Sequence, residues 1–204
     1  MAAAVAQSPP PEVDLARIDQ RVMLYGHRFE DYETLLAVRG ERSAVRMFFL
    51  QGVIELMSPS VDHEGIKTTI ARLLEAWADE HELEVNGFGS WTLKSAEQER
   101  GAEPDECYVV GAPRKDRPDI AIEVQWTRGG LDKLEIYRGL GVREVWIWQP
   151  SGKLEVHALR GERYQLIPRS EVLPTLDLDQ LAPFVLSESQ SQAVRAYRAE
   201  LRAK

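Results

Sequence analysis

The stretch that decides the fold is PDIAIEVQWTRGGLDKLEIYRGLGVREVWIWQ, residues 118–149. It begins with alternating apolar and polar residues and breaks at Gly129-Gly130. It resumes as GLDKLEIYRGLG (130–141), with Leu131, Leu134 and Tyr137 on one side of a short helix, and closes on the β-forming run VREVWIWQ (142–149). The expected order is strand, helix, buried strand. In the first strand, residues two apart share a face. Ile120, Ile122 and Val124 then point into a core, while Asp119, Ala121, Glu123 and Gln125 point the other way. That polar face belongs either to an ordinary half-exposed strand or to the wall of a metal site.

Geometry narrows the second alternative. Asp119 and Glu123 lie roughly 13 Å apart along an extended strand. Two carboxylates that far apart cannot share an ion held at about 2.0–2.5 Å. A nearer partner comes from EPDECYVVG (103–111), which reads as the preceding strand. If the two strands pair across the loop containing Gly111, Pro113 and Asp116, Asp105 falls opposite Glu123 within about a residue. Opposed carboxylates repel unless a cation or a proton lies between them. A Mg²⁺-like ion needs only one or two carboxylates and keeps several waters. A slip of one residue would send the two acids to opposite faces.

Lys133, in the first turn of the expected helix, can reach back over the strand end. There it could hold a water or offset charge on a phosphoryl group. Gln125, on the Glu123 face, can orient by hydrogen bonding. Two acids, a metal and a lysine suit phosphodiester hydrolysis. The bland alternative is a solvated sheet face with a solvated lysine. Asp119, after Pro118, suits the start of the strand.

Working outward, DYETLLAVRG (31–40) has helical spacing and a closing Gly40. VRMFFLQGVIELMSP (45–59) reads as two strands about Gln51-Gly52. In 60–84, Ile66, Ile70, Leu73, Leu74 and Trp77 mark an amphipathic helix with Asp62 as its N-cap. His63 and Glu64 open that helix, where Glu64 suits the dipole. GFGSWTLKSA (87–96) reads as a strand, KLEVHALRGERYQLI (153–167) as a hairpin turning at Arg160-Gly161-Glu162, and SESQSQAVRAYRAELRAK (187–204) as a terminal helix. The fold class is α/β to α+β: a mixed sheet flanked by helices. Residues 1–13, rich in Ala and Pro, read as a disordered tail. Residues 14–204 read as a single domain with a C-terminal helix.

The chain has 204 residues and a net charge of −8. An acidic surface offers no general attraction to nucleic acid or anionic membranes. DNA binding would need a local basic groove or a divalent ion. The single cysteine, Cys107, excludes an internal disulfide framework and reads as core. A cytoplasmic location is expected, with no membrane span. Trp126, Trp146 and Trp148 read as core or interface. Exposed Trp and Tyr near a sheet edge would suit a homodimer.

The segments GVIELMSPSVDHEGI (52–66), EPDECYVVG (103–111), Pro118 to Gln149 and the hairpin after it resemble the Uma-type family of the PD-(D/E)XK restriction-endonuclease-like superfamily. The resemblance covers about residues 30 to 185. It implies a restriction-endonuclease-like mixed sheet core flanked by helices, and Mg²⁺- or Mn²⁺-dependent cleavage of phosphodiester bonds, with DNA as the substrate. Carried over, Asp105 and Glu123 match the motif acids as metal ligands. Gln125 stands where the superfamily has a lysine, and Lys133 sits where this family places one. Glu64 corresponds loosely to an acid that some members contribute to the metal from a core helix. The rival expectation is a binding or regulatory module that keeps the fold without turnover, motivated by Gln125 and the acidic charge.

Overall fold

A computed structural model describes residues 14–42, 44–127 and 129–203. The tail expected over residues 1–13 lies outside them. The chain opens with β1 (Gln20–Tyr25) and α1 (Phe29–Arg39), then β2 (Arg46–Leu50), β3 (Val53–Ser58) and the long α2 (Val61–Glu80). Four strands follow: β4 (Val85–Gly87), β5 (Leu93–Ser95), β6 (Arg100–Ala102) and β7 (Glu106–Val110). Next come β8 (Ile120–Val124), α3 (Lys133–Leu140) and β9 (Glu144–Trp148). The hairpin β10 (Leu154–Arg160) and β11 (Arg163–Ile167), the short α4 (Leu178–Leu181) and α5 (Gln190–Arg202) complete the described chain.

The strands form two sheets. One runs β1-β3-β2-β6-β5, the other β11-β10-β9-β8-β7-β4. Residues 118–149 become β8, α3 and β9, and those two strands pair in parallel, with Glu123 beside Ile147. A helical crossover is what a parallel pair requires. β7 and β8 are antiparallel, with Glu106 opposite Ile122 and Cys107 opposite Ala121. The β2–β3 hairpin turns through Gln51 and Gly52, both at positive φ (42° and 87°). That matches the twist of the two strands and favours glycine.

Side-chain alternation explains the layering. Ile120, Ile122 and Val124 of β8 join Ile66, Ile70, Leu73 and Trp77 of α2 in the largest core, together with Trp146, Trp148 and Tyr197. Ala121 points the other way. There Phe48 of β2 and Met57 of β3 meet Ile136 and Tyr137 of α3. On the far side of the first sheet, Met47, Phe49 and Ile54 pack on Phe29 and Tyr32 of α1. The order is therefore α2 with α5, the second sheet, the first sheet with α3, then α1.

Several sequence expectations change. β8 is buried on both faces, because the first sheet and α3 cover the side that alternation left polar. The N-cap of α2 is Ser60, whose hydroxyl accepts from the His63 N–H at 3.2 Å. Asp62 instead accepts from Arg17 Nε at 2.9 Å. The strand expected over 87–96 is two strands in different sheets, β4 and β5. The chain crosses between layers there, turning through Gly89 at φ 57°. Trp146 and Trp148 are core. Tyr25 is 72% exposed on the edge strand β1.

Candidate functional site

The β7–β8 register, carried one residue further, sets Asp105 opposite Glu123. Asp105 accepts from the Val124 N–H at 2.7 Å, which fixes its carboxylate beside the end of β8. Both acids are buried. Glu123 accepts a hydrogen bond from the Tyr137 hydroxyl, one turn into α3. Asp132 caps that helix by accepting from the Glu135 N–H at 3.1 Å. The cap makes Lys133 the first helical residue, and its side chain turns inward. The ammonium lies over the Phe48 ring and 3.8 Å from Glu55 Oε2.

The first sheet and α2 close the site. Arg46 and Phe48 share a face of β2, so Arg46 points towards the second sheet. Its Nη1 lies 2.9 Å from Asp105 Oδ1 and its Nη2 2.7 Å from Glu64 Oε1. His63, in the first turn of α2, lies between two acids. Its Nε2 is 2.8 Å from Asp105 Oδ2 and its Nδ1 3.1 Å from Asp19 Oδ2.

The electrostatics follow from enclosure. Burial alone would raise the Asp105 carboxyl, but the His63 and Arg46 cations hold it below its ordinary value. Burial pushes Glu123 up to about 7; Lys133 opposes the shift and Asp105 adds to it. Burial pushes Lys133 down to about 8, with Glu123 and Glu55 opposing. Burial would lower His63, yet Asp105 and Asp19 raise it to about 9. As an imidazolium it can donate to both acids.

Every residue expected from the sequence now has a place. Asp105, Glu123 and Lys133 gather between the two sheets. Gln125 lies just beyond β8 and is exposed, its backbone N–H donating to Trp148 O at 2.9 Å. Glu64 stands at the rim, 39% exposed at its side chain, and reaches Asp105 only through Arg46. Its other oxygen pairs with Lys67 at 2.8 Å. Asp119 lies just before β8 and is bound by Arg114 at 2.6 Å and by the Val110 N–H at 2.9 Å. Sequence reasoning missed Asp19, Arg21, Arg46 and Glu55. A signal existed for Glu55: it is a lone acid on one face of a strand with Val53 and Met57.

The donor set bears on which ion could be held. Among the described residues, no group of three or more His, Cys, Asp or Glu side chains is arranged to hold a metal. A hard divalent ion that keeps its waters needs only one or two carboxylates; here Arg46, His63 and the Val124 N–H engage Asp105, and the Tyr137 hydroxyl engages Glu123. Asp105 Oδ1 and Lys133 Nζ are both enclosed without a well-directed hydrogen bond. Cys107, its thiol pushed up to about 12 by burial, donates to Gly89 O and is no ligand here.

These features define a mixed α+β protein with an ionisable cluster walled between two sheets and two helix N-termini. The chain belongs to the Uma2 family, described as "Putative restriction endonuclease", whose model matches residues 29–194. A solved structure from Anabaena variabilis ATCC 29413, described as "a putative nuclease belonging to DUF820", shares the fold. Its TM-score is 0.52 at 12% identity, over 84% of this chain and 99% of that one. No curated protein matches the chain. No helix among the described residues is long and apolar enough to cross a membrane.

Proposed function

We propose that this protein is a divalent-metal-dependent endonuclease that hydrolyses phosphodiester bonds in DNA. The observation that carries the reading is the opposed, buried pair Asp105 and Glu123 with the enclosed Lys133 ammonium beside them. Family membership supports it. Asp105 and Glu123 would hold Mg²⁺ or Mn²⁺, with Glu64 at the rim as a further acid. When bound, such an ion activates water and offsets charge on a phosphoryl oxygen.

The chain's own groups do the rest. The Val124 N–H aims Asp105, and the Tyr137 hydroxyl aims Glu123. Lys133 positions the attacking water or stabilises the charge that develops on the phosphoryl oxygens. Gln125, exposed at the end of β8, orients substrate by hydrogen bonding. Water adds to phosphorus as the bond to the leaving sugar oxygen breaks. The test is incubation of purified protein with DNA and Mg²⁺ or Mn²⁺, beside an Asp105→Ala control. Cleavage lost in the control is expected; cleavage that survives the substitution rejects the site.

One observation favours a second reading, a binding or regulatory module without turnover. Arg46 and His63 already pair with Asp105. Calorimetry separates the two readings: no heat of binding at millimolar Mn²⁺ favours the module. A homodimer is a further part of the proposal, through exposed Val22 and Tyr25 on edge strand β1. Concentration-dependent sedimentation is its test, and a monomer at high concentration rejects it.

A further inference from the structure

Behind the acid pair runs a chain of buried charges that the hydrolytic reading leaves unused. Asp19, just before β1, faces His63, and it also accepts from the Ser60 N–H at 2.9 Å and the Thr127 hydroxyl at 3.0 Å. Arg21, on β1, donates from Nη2 to Asp19 at 3.2 Å and from Nη1 to Thr127 at 2.6 Å. Its Nε donates to Glu55 Oε1 at 3.2 Å. The other Glu55 oxygen accepts from the Leu131 N–H at 2.7 Å and lies 3.8 Å from Lys133. Asp105, His63, Asp19, Arg21, Glu55 and Lys133 thus stand in one unbroken line. The side chains of Asp19, Glu55, His63 and Asp105 are fully enclosed.

We infer that Asp19, Arg21, Glu55 and His63 are positioning residues, and that Arg21 ties the support of Asp105 to the support of Lys133. The inference rests on the nuclease reading for the roles of the two groups being positioned. Buried ion networks are weak stabilisers, since apolar replacements of similar volume often do as well. A network that encloses three acids beyond Glu123 therefore makes sense where it fixes orientation. The loop that launches Lys133 is also shaped to Glu55. Gly130 has φ +94°, and a Cβ there would lie 3.0 Å from both Glu55 oxygens. Glu55 thus sets the backbone from which α3, and with it Lys133, begins.

The experiment uses the full chain with Arg21→Met, Arg21→Lys, Asp19→Asn and Glu55→Gln. The readouts are thermal unfolding, Mn²⁺ binding by calorimetry, and Mn²⁺-supported nicking of supercoiled plasmid DNA. Loss of an outer support around a metal site costs about 10- to 100-fold in affinity or activity. Folded Arg21→Met should weaken Mn²⁺ binding by that factor and lower kcat with KM for DNA unchanged. Arg21→Lys should restore part of both. The effects of Asp19→Asn and Glu55→Gln on Mn²⁺ affinity should be non-additive with Arg21 present and additive in the Arg21→Met background. A folded Arg21→Met with unaltered Mn²⁺ affinity and kcat overturns the inference. If Arg21→Met does not fold, Glu55→Gln carries the same expectation and the same rejection. If the unaltered protein binds Mn²⁺ but nicks no DNA, the nuclease reading fails, while the affinity series still decides the positioning roles. An unaltered protein that binds no Mn²⁺ overturns both.

Discussion

Asp105 accepts the backbone N–H of Val124 at 2.7 Å, so the first acid is fastened to the residue that follows the second. The same carboxylate faces two buried cations, Arg46 and His63. Replacing it with asparagine leaves both facing a neutral amide. Breaking a buried pair in this way costs about 3–5 kcal/mol. Urea unfolding of Asp105→Asn should show that loss at unchanged slope. Calorimetry should show Mn²⁺ binding abolished.

Lys133 should behave in the opposite way. Its ammonium is enclosed, has no well-directed hydrogen bond and is held below its ordinary pKa by burial. Lys133→Met keeps the length of the stem and removes a poorly satisfied charge. We expect stability equal to or above that of the unaltered protein, and DNA cleavage slower by about 10²–10³-fold. A large fall in melting temperature would show that Lys133 is structural.

The start of β8 supplies a prediction about pH. Burial would raise the Asp119 carboxyl, but Arg114, the Val110 N–H and Arg143 hold it below 3.8. A carboxyl lowered in the folded state adds stability that is full above its unfolded value. That stability is lost as pH falls through the lower folded value. Asp119→Asn should cost about 1.5–3 kcal/mol at neutral pH, as loss of hydrogen bonds to a charged group does. The difference from the unaltered protein should shrink as the pH is taken below 3.8 and on through the lower folded value. An equal deficit at both ends of that range would contradict the assignment.

Glu144 makes a control at the other end of β8 from the acid pair. It is 1% exposed and accepts from Trp146 Nε1, Ser170 Oγ and the Glu171 and Val172 N–H groups, at 2.6–3.0 Å. It pins the segment after β11 to the core strand β9. Glu144→Gln turns an NH₂ towards these donors and leaves some unsatisfied, at about 1–3 kcal/mol each. Unfolding should reveal the loss while Mn²⁺ affinity stays unchanged.

Much of this site was legible in the sequence because it depends on local rules. The two-residue period of a strand separates Glu123 from Asp119, and the loop between β7 and β8 brings Asp105 across. Both follow from spacing. The helix after Gly130 is likewise local, although its cap, Asp132, became clear only in the structure. The same rules fell short where an element borrows from a distant layer. Nothing near β8 in the chain announces that its Ala121 face will be covered by Phe48 and Met57.

The sequence by itself placed Asp105 opposite Glu123 to within about a residue and a helix over 130–141; the observed β7–β8 pairing and the Asp132 cap settled the register and the start at Lys133. Alternation, turns and helix starts act over a few residues, and each is written next to the group it places. Only the tertiary structure decided what surrounds those groups. Arg21 reaches Thr127 across 106 positions, and His63 reaches Asp19 across 44. Such charges meet only when two sheets and α2 pack together. Packing also withdraws water from them, and that moves Glu123 up and Lys133 down.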